Sequence, residues 1–164
     1  MRDVMLAMLL LFVTSCAHPH VKTEASGPPH PPPDQPVTVR NDPQLQKLMS
    51  AIEPYIQQAR STYPQAKARF VAGLPSGSVF FATVQLHDAD GKMEQVFVQV
   101  EKIEADQISG LIWNDINRVK GFAKGQKYTF PEAELVDWTI YNSDGTEEGN
   151  VVGIFLDTWH GEVP

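Results

Sequence analysis

The sequence predicts an α+β domain in which N-terminal helices pack on a bent, mostly antiparallel sheet of about six strands. Two observations predict this class. Apolar residues recur at helical spacing between Leu45 and Ala59, and the period changes to alternation from Val79 onward. Hairpin turns join the alternating segments, without the strand–helix–strand rhythm of a parallel sheet. Closure of the sheet into a barrel is an alternative that this pattern leaves open.

Local signals mark where the helices begin and where they are interrupted. Asp42 is a favoured N-terminal cap, and Pro43 suits the first helical position because its missing N–H has no partner there. Pro54 lies within the apolar stripe, so we predict either a kink at that residue or a division into two short helices. A further helical piece is predicted over residues 64–72, "PQAKARFVA".

Six short segments carry strand signals. In the first two, "VFFATVQLHD" and "EQVFVQVEKI", apolar residues share one face, and Asp90-Gly91 between them is a strong hairpin signal. Four later segments complete the predicted sheet, namely "ISGLIWND", "KYTF", "LVDWTIY" and "NVVGIFLD". We also predict turns at "EADQ" and "SDGTEEG", and a single helical turn at "PEAEL".

The first residues resemble a bacterial lipoprotein signal peptide. After Arg2, residues 4–13 form an uninterrupted apolar run, which is shorter than the about 20 residues that span a membrane. "VTSC" then resembles the lipobox, in which the cysteine sulfur receives a diacylglyceryl group and the new amino terminus is acylated with a fatty acid such as palmitate. We therefore predict a signal peptide over residues 1–15 and lipidation of Cys16. The alternatives are that Cys16 is an ordinary cysteine, or that the segment is a plain signal peptide cleaved further along the chain.

Lipidation would hold the protein on a membrane surface, since two or three acyl chains make release very slow. Ala17 follows the cysteine, where an aspartate would resemble the inner-membrane retention signal of enteric bacteria. We therefore expect an outer-membrane lipoprotein of the bacterial cell envelope that faces the periplasm, if the source is Gram-negative.

Residues 16–43 are predicted to be the lipidated cysteine and a proline-rich, disordered tether, because they contain almost no large apolar side chains. Three tether histidines, His18, His20 and His30, make only a weak metal site, so a solvated spacer is favoured. A single α+β domain is predicted over residues 44–160.

The charge balance restricts the expected partners. Asp and Glu number 20 against 13 Lys and Arg, which gives a net charge of −7. Binding of nucleic acid requires clustered basic residues, which are not visible here. The expected partners are the lipid bilayer, through acylated Cys16, and an envelope protein or cell-wall component. No cofactor, metal or disulfide is predicted.

Four stretches together resemble one bacterial family. They are "RSTYPQAKARFVAGLPSGSVFFATVQLHD", "EQVFVQVEKIEADQISGLIWND", "GFAKGQKYTFPEAELVDWTIY" and "DGTEEGNVVGIFLD". Over residues 59–157 the chain is similar to the family called domain of unknown function 2314, the YegJ-like proteins. The resemblance implies where the folded part lies, and it brings no established chemistry.

Three tryptophans and one aspartate are candidate contacts for a ligand or partner: Trp113, Asp137, Trp138 and Trp159. The structural interpretation is favoured for Asp137, which can accept backbone N–H bonds from a neighbouring loop, and for Trp138, which can pack in the core. Trp113 is expected to cover the outer face of the sheet, and Trp159 to be an exposed contact or a lid on the core.

No catalytic constellation is visible, and no catalytic residue is predicted. The sequence lacks the G-x-S-x-G and H-E-x-x-H motifs, and His87 is expected at a strand end. We therefore predict a membrane-anchored, noncatalytic binding domain. One alternative is an immunity lipoprotein that neutralises an antibacterial toxin. Another is a carboxylate-dependent hydrolase, for which certain acidic side chains would have to converge, namely Glu101, Glu104, Asp106, Asp115 and Asp137.

Overall fold

The structure, a computed structural model, describes residues 42–160. The predicted signal peptide, Cys16 and nearly all of the predicted tether lie outside this range. Two helices, six strands and one short 3₁₀ turn follow in the order α1 (Asp42–Ala72), β1 (Val79–His87), β2 (Met93–Glu104), β3 (Gln107–Ile112), β4 (Lys127–Pro131), the 3₁₀ turn (Glu132–Glu134), β5 (Asp137–Tyr141), β6 (Glu147–Gly149) and α2 (Val151–Thr158). Neither helix is long and apolar enough to cross a membrane.

All six strands belong to one antiparallel sheet, which confirms the predicted fold class. Their order is β4-β3-β2-β1-β5-β6, and every pair of neighbours is antiparallel. The barrel alternative is wrong, because β4 and β6 have no pairing with each other and remain the two edges of an open sheet. The predicted hairpin is confirmed, since Gly91 has a φ of 76° at the turn between β1 and β2.

Helix α1 is one continuous helix, so the predicted division into two helices is wrong. It begins at Asp42, where the sequence predicts a helix start, and it includes both Pro54 and Pro64. Both prolines are exposed, so the backbone bonds that they remove lie on the solvent side of the helix. The opposite face of the helix is a stripe of buried residues that continues before and after each proline. Its members are Leu48, Ile52, Ile56, Ala59, Tyr63 and Ala66. Burial of this stripe offsets the cost of the two missing bonds.

Helix α2 corrects the prediction of a sixth strand at "NVVGIFLD". Asn150 adopts the left-handed conformation, with a φ of 54°, and redirects the chain directly after β6. The carboxylate of Asp137 then accepts the N–H of Val152 at 2.6 Å, at the start of the helix. The sixth strand lies just upstream, within the predicted turn "SDGTEEG". A short apolar run suits a strand or a helix equally well by periodicity, so a cap from another part of the chain decides between them.

The hydrophobic core lies on the sheet face that carries the even-numbered residues of β1, including Phe80 and Val84. The C-terminal half of α1 packs on this face through Ala59, Tyr63 and Ala66. A second cluster joins the N-terminal half of α1 to α2. The opposite sheet face carries the odd-numbered residues of β1, of which Phe81 and Thr83 are buried and Gln85 is half-buried.

Candidate ligand-binding cleft

A cleft of about 380 Å³ opens on the sheet face opposite the main core. Its floor is formed by β1 and β2, one wall by the N-terminal half of α1 with α2, and the other wall by the loop of residues 113–126 that joins β3 to β4. Its volume falls within the range of small-ligand sites, about 300–1,000 Å³. The cleft is therefore a candidate functional site, and each wall has a distinct chemical character.

The helical wall is apolar. Leu45, Leu48, Met49 and Ile52 of α1 line the cleft together with Leu156 of α2. The four α1 residues follow the spacing that places side chains on one face of a helix. Leu48 and Ile52 also belong to the cluster between α1 and α2, so their packing against α2 fixes the position of this wall.

The centre of the floor carries uncharged polar side chains. Thr83 and Gln85 of β1 lie beside Gln95 and Phe97 of β2, and Gln85 is directly opposite Gln95 in the register of the two strands. The Gln85 amide has one weak contact, 3.8 Å from the sulfur of Met49. The Gln95 amide has no hydrogen-bond partner among residues 42–160, so both amides are available to a ligand.

The loop wall is held in place by a carboxylate of β2. The two oxygens of Glu94 accept the backbone N–H groups of Asn117 at 2.9 Å, Arg118 at 2.7 Å and Val119 at 3.1 Å. Partial burial by itself would raise the pKa of Glu94, but these N–H bonds outweigh it and hold the pKa below its usual range. The Glu94 carboxylate thus serves the loop and is not available as a free acid or base.

Two further contacts attach the same loop to the β1–β2 hairpin. Asp88, at the end of β1, accepts the backbone N–H of Lys120 at 3.1 Å. The side-chain oxygen of Asn114 accepts the backbone N–H of Phe97 at 2.5 Å. Residues 117–120 therefore donate four consecutive backbone N–H groups to two carboxylates of the hairpin.

The structure separates the predicted contact residues from this cleft. Trp113 is half-buried, with its ring 5.5 Å from that of Phe81. Trp138 is buried, and its indole N–H lies 3.1 Å from the carbonyl oxygen of Ala59 in α1. Trp159 packs beside α2, and its buried indole nitrogen has no hydrogen-bond partner among residues 42–160. None of the three tryptophans lines the cleft, and their role as ligand contacts stays a prediction.

Asp137 lies beneath the N-terminus of α2 and has an altered acidity. Burial raises its pKa to about 6, against the opposing effect of N–H bonds from Val152, Trp138 and Gly153. One oxygen lies 2.8 Å from the N of Trp138, and the other lies 2.6 Å from the N of Val152. Both oxygens are thus engaged by the backbone, and Asp137 does not line the cleft.

The other carboxylates considered from the sequence do not converge. Each of them approaches a different lysine: Glu101 with Lys127 at 3.8 Å, Glu104 with Lys102 at 2.5 Å, Asp106 with Lys67 at 3.9 Å and Asp115 with Lys124 at 3.6 Å. Within residues 42–160, no group of three or more His, Cys, Asp or Glu side chains could hold a metal ion.

Of the residues that line the cleft, sequence reasoning singled out only Asp115, as one of the carboxylates considered for a hydrolase. Gln95 is predicted to face away from the valines of β2, which is correct, but alternation alone does not show that another element covers that face. Glu94 and Arg118 carry no motif. The one available signal is a polar stripe of Gln85 and Gln95 at equivalent positions of a predicted hairpin, which indicates neighbouring amides without indicating a cleft.

The fold and the cleft together define an α+β domain with an open antiparallel sheet and a ligand-sized groove on its second face. The family described as "Uncharacterized protein conserved in bacteria (DUF2314)" matches residues 43–161. Because this match covers most of the chain, the protein belongs to that family. No curated protein and no solved structure matches the chain in the corresponding comparisons.

Proposed function

We propose that this protein is a noncatalytic binding module of the bacterial cell envelope, and that the cleft between α1 and the 113–126 loop holds its partner. The observation that carries the proposal is a ligand-sized cleft that combines an apolar helical wall with two floor amides, of Gln85 and Gln95, which make no more than one weak contact within residues 42–160. Such a combination suits recognition, because apolar area supplies affinity and a few polar groups supply orientation.

The chemistry of the lining supports a binding role over a catalytic one. The cleft is lined by no Ser, Cys, His, Lys or Tyr from residues 42–160. Its one hydroxyl within that range, of Thr83, has no side-chain hydrogen bond to a described residue that could act as its base. Of its two carboxylates, Glu94 accepts three backbone N–H groups, and Asp115 lies 3.6 Å from Lys124. The carboxyl with the raised pKa, Asp137, lies elsewhere and is bonded to the start of α2.

The proposed place of action follows from the sequence before the domain. Residues 1–15 have the features of a signal peptide, and Cys16 follows the small residues of a lipobox-like sequence. A proline-rich segment then precedes α1. We therefore place the domain on the periplasmic side of a membrane, held by acylated Cys16 at the end of a tether, where it meets an envelope protein or cell-wall component.

Affinity capture with a blocked cleft tests this proposal. The Gln95→Trp variant fills the floor of the cleft with a large side chain, and Gln99→Trp is the matched control on the same strand and the same face, outside the lining. We expect wild type and Gln99→Trp to retain the same partner from envelope extract and Gln95→Trp to lose it, with equal melting temperatures for both variants. Retention of the partner by Gln95→Trp would refute the assignment of the cleft.

The alternative functions make different predictions. An immunity lipoprotein would be encoded beside a toxin-like gene, and expression of that toxin would be tolerated only in cells that carry this protein. A carboxylate-dependent hydrolase would show turnover that disappears when a single carboxylate is replaced by its amide. Either result would replace the general binding role with a specific one.

A further inference from the structure

We propose that the cleft recognises the free carboxyl terminus of a polypeptide whose last residues are apolar, and that Arg118 binds the terminal carboxylate. This inference rests on the proposed binding function and adds the chemical class of the ligand. It follows from the charges, polar groups and apolar surface that remain available after the internal contacts of the cleft are assigned.

Among residues 42–160, three charged residues line the cleft: Glu94, Asp115 and Arg118. Glu94 is bonded to the backbone of the loop, and Asp115 lies 3.6 Å from Lys124. The exposed guanidinium of Arg118 has no ion pair or hydrogen bond among residues 42–160. Within the part of the chain that the structure describes, the cleft therefore presents one positive charge without a partner, although the whole protein carries a net charge of −7. A guanidinium binds a carboxylate through two parallel hydrogen bonds, which favours a ligand with one anionic end.

The uncharged polar groups match a peptide backbone. The amides of Gln85 and Gln95 each offer both a donor and an acceptor, and they are paired across the two central strands of the floor. Thr83 adds a hydroxyl beside them. Peptide groups also carry one donor and one acceptor each, so the floor can pair with the peptide units that precede a terminal carboxylate.

The apolar wall specifies the side chains that precede the carboxylate. Leu45, Met49 and Leu156 present aliphatic and thioether surface on the side of the cleft opposite the loop. Met93 lies at the start of β2 and adds a second flexible thioether, which can adapt to side chains of different shape. Aliphatic residues at the peptide terminus are therefore favoured over charged or small ones.

Peptide binding by the domain tests this inference. The probes are a pooled library of short L-peptides with apolar last residues and a free carboxyl terminus, the same library with amidated termini, and the free-acid library made of D-residues. Binding is measured by fluorescence anisotropy with wild type, Arg118→Gln, Gln95→Trp and the control Lys102→Gln. Lys102 is an exposed cation at the far end of β2 and does not line the cleft, so its variant controls for the loss of one positive charge.

We expect free-acid L-peptides to bind wild type and Lys102→Gln equally, and to bind Arg118→Gln about tenfold or more weakly, as for loss of a hydrogen bond to a charged group. Gln95→Trp should not bind them. Equal binding of acid and amide peptides, tighter binding of D-peptides, or no binding of any free-acid library would overturn the inference. A partner captured from extract by wild type and lost by Gln95→Trp would then still support the proposed function, whereas a partner retained by Gln95→Trp would overturn both.

Discussion

Replacement of Glu94 by glutamine should release the loop wall of the cleft without changing the size of the side chain. In the folded protein the Glu94 carboxylate accepts the N–H groups of Asn117, Arg118 and Val119. Glutamine keeps one acceptor oxygen and turns the other position into a donor. If the amide nitrogen takes the position of Oε1, Asn117 keeps only its 3.1 Å contact with Oε2, and if it takes the position of Oε2, Arg118 and Val119 lose their acceptor. In either orientation the remaining bonds lose the assistance of the negative charge.

The expected loss of stability follows from these bonds. A hydrogen bond to a charged group contributes about 1.5–3 kcal/mol, and a neutral one about 0.5–1.5 kcal/mol. The bonds of Asn117 and Arg118 are exposed to solvent, where water can replace the lost acceptor, so the sum of all three would overestimate the effect. We therefore expect Glu94→Gln to lower the free energy of unfolding by about 1–3 kcal/mol at neutral pH.

Urea denaturation at several pH values is the appropriate assay, with Glu101→Gln as the control. Glu101 lies on the same strand, but its carboxylate is partly exposed and lies 3.8 Å from Lys127, so its replacement should cost little. The pKa of Glu94 is lowered by folding, so its stabilising effect exists above the ordinary glutamate pKa and is lost as the pH falls through the folded-state pKa. Wild type and Glu94→Gln should therefore become equally stable in acid. Equal stability at neutral pH, or a difference that persists unchanged in acid, would refute the assigned role.

Three other substitutions test separate parts of the molecule. Folding raises the pKa of Asp137 from 3.8 to about 6, so the folded protein gives up this proton at a higher pH than the unfolded chain. As the pH rises from about 4 to about 6.5, the unfolding free energy of wild type should therefore fall by on the order of 3 kcal/mol relative to that of Asp137→Asn. Parallel pH profiles of the two proteins in urea denaturation would contradict this. Trp138→Phe removes the indole N–H that donates to Ala59 and Thr62 of α1. This variant should lower the unfolding free energy by about 1–3 kcal/mol. An unchanged midpoint of urea denaturation would show that these bonds contribute nothing to stability. Cys16→Ser should move the protein from the membrane pellet to the soluble fraction, and continued sedimentation with the envelope would exclude lipid attachment at that residue.

Five strands of the sheet, β1 to β5, were predictable because their information is local. Strands β1 and β2 both place residues of the main core at alternate positions, as the pleat of a strand requires, and the Asp90-Gly91 turn fixes which strands are neighbours. These core residues are Phe80, Ala82, Val84 and Leu86 in β1 and Val96, Val98 and Val100 in β2. The start of α1 was equally local, because an aspartate and a proline precede the first apolar position. These features needed no information about distant parts of the chain.

The errors occurred where distant residues decide local structure. The run "VVGIFLD" is a helix because Asp137, 15 residues before Val152 in the chain, supplies an acceptor at its first turn. Gly149 approaches the backbone and ring of Trp138 so closely that a Cβ would collide with them, which fixes the exit of β6 before α2. Pro54 does not divide α1, since the buried residues on both sides of it pack against the rest of the protein. No local pattern contains these contacts.

The cleft was unpredictable for the same reason. The loop wall exists because Glu94 and Asp88 hold backbone groups that follow them by 23 to 25 and by 32 residues respectively. Those backbone groups would be donors whatever the side chains of residues 117–120 were, so the identities of those side chains carry little information about the contact. Such side-chain-to-backbone bonds leave a sequence signal only at the carboxylate.

The same bonds reduce the negative potential of the cleft, whose charged lining residues among 42–160 are Glu94, Asp115 and Arg118. A carboxylate that accepts several N–H groups has much of its charge offset by local backbone dipoles, so Glu94 contributes less negative potential to the cleft than its formal charge indicates. Arg118 donates its backbone N–H to Glu94, while its guanidinium has no bond to that carboxylate, as the proposed binding of a ligand carboxylate requires. The net charge of −7 therefore argues against a polyanionic partner over the whole surface. It does not set the sign of the charge that a ligand in the cleft would meet.

The Glu94→Gln variant shows whether the charge of Glu94 or its hold on the loop matters more for the binding of a ligand carboxylate. It removes the negative charge and frees the loop together, so an increase in affinity for free-acid peptides would show that charge dominates, and a decrease would show that the position of Arg118 does.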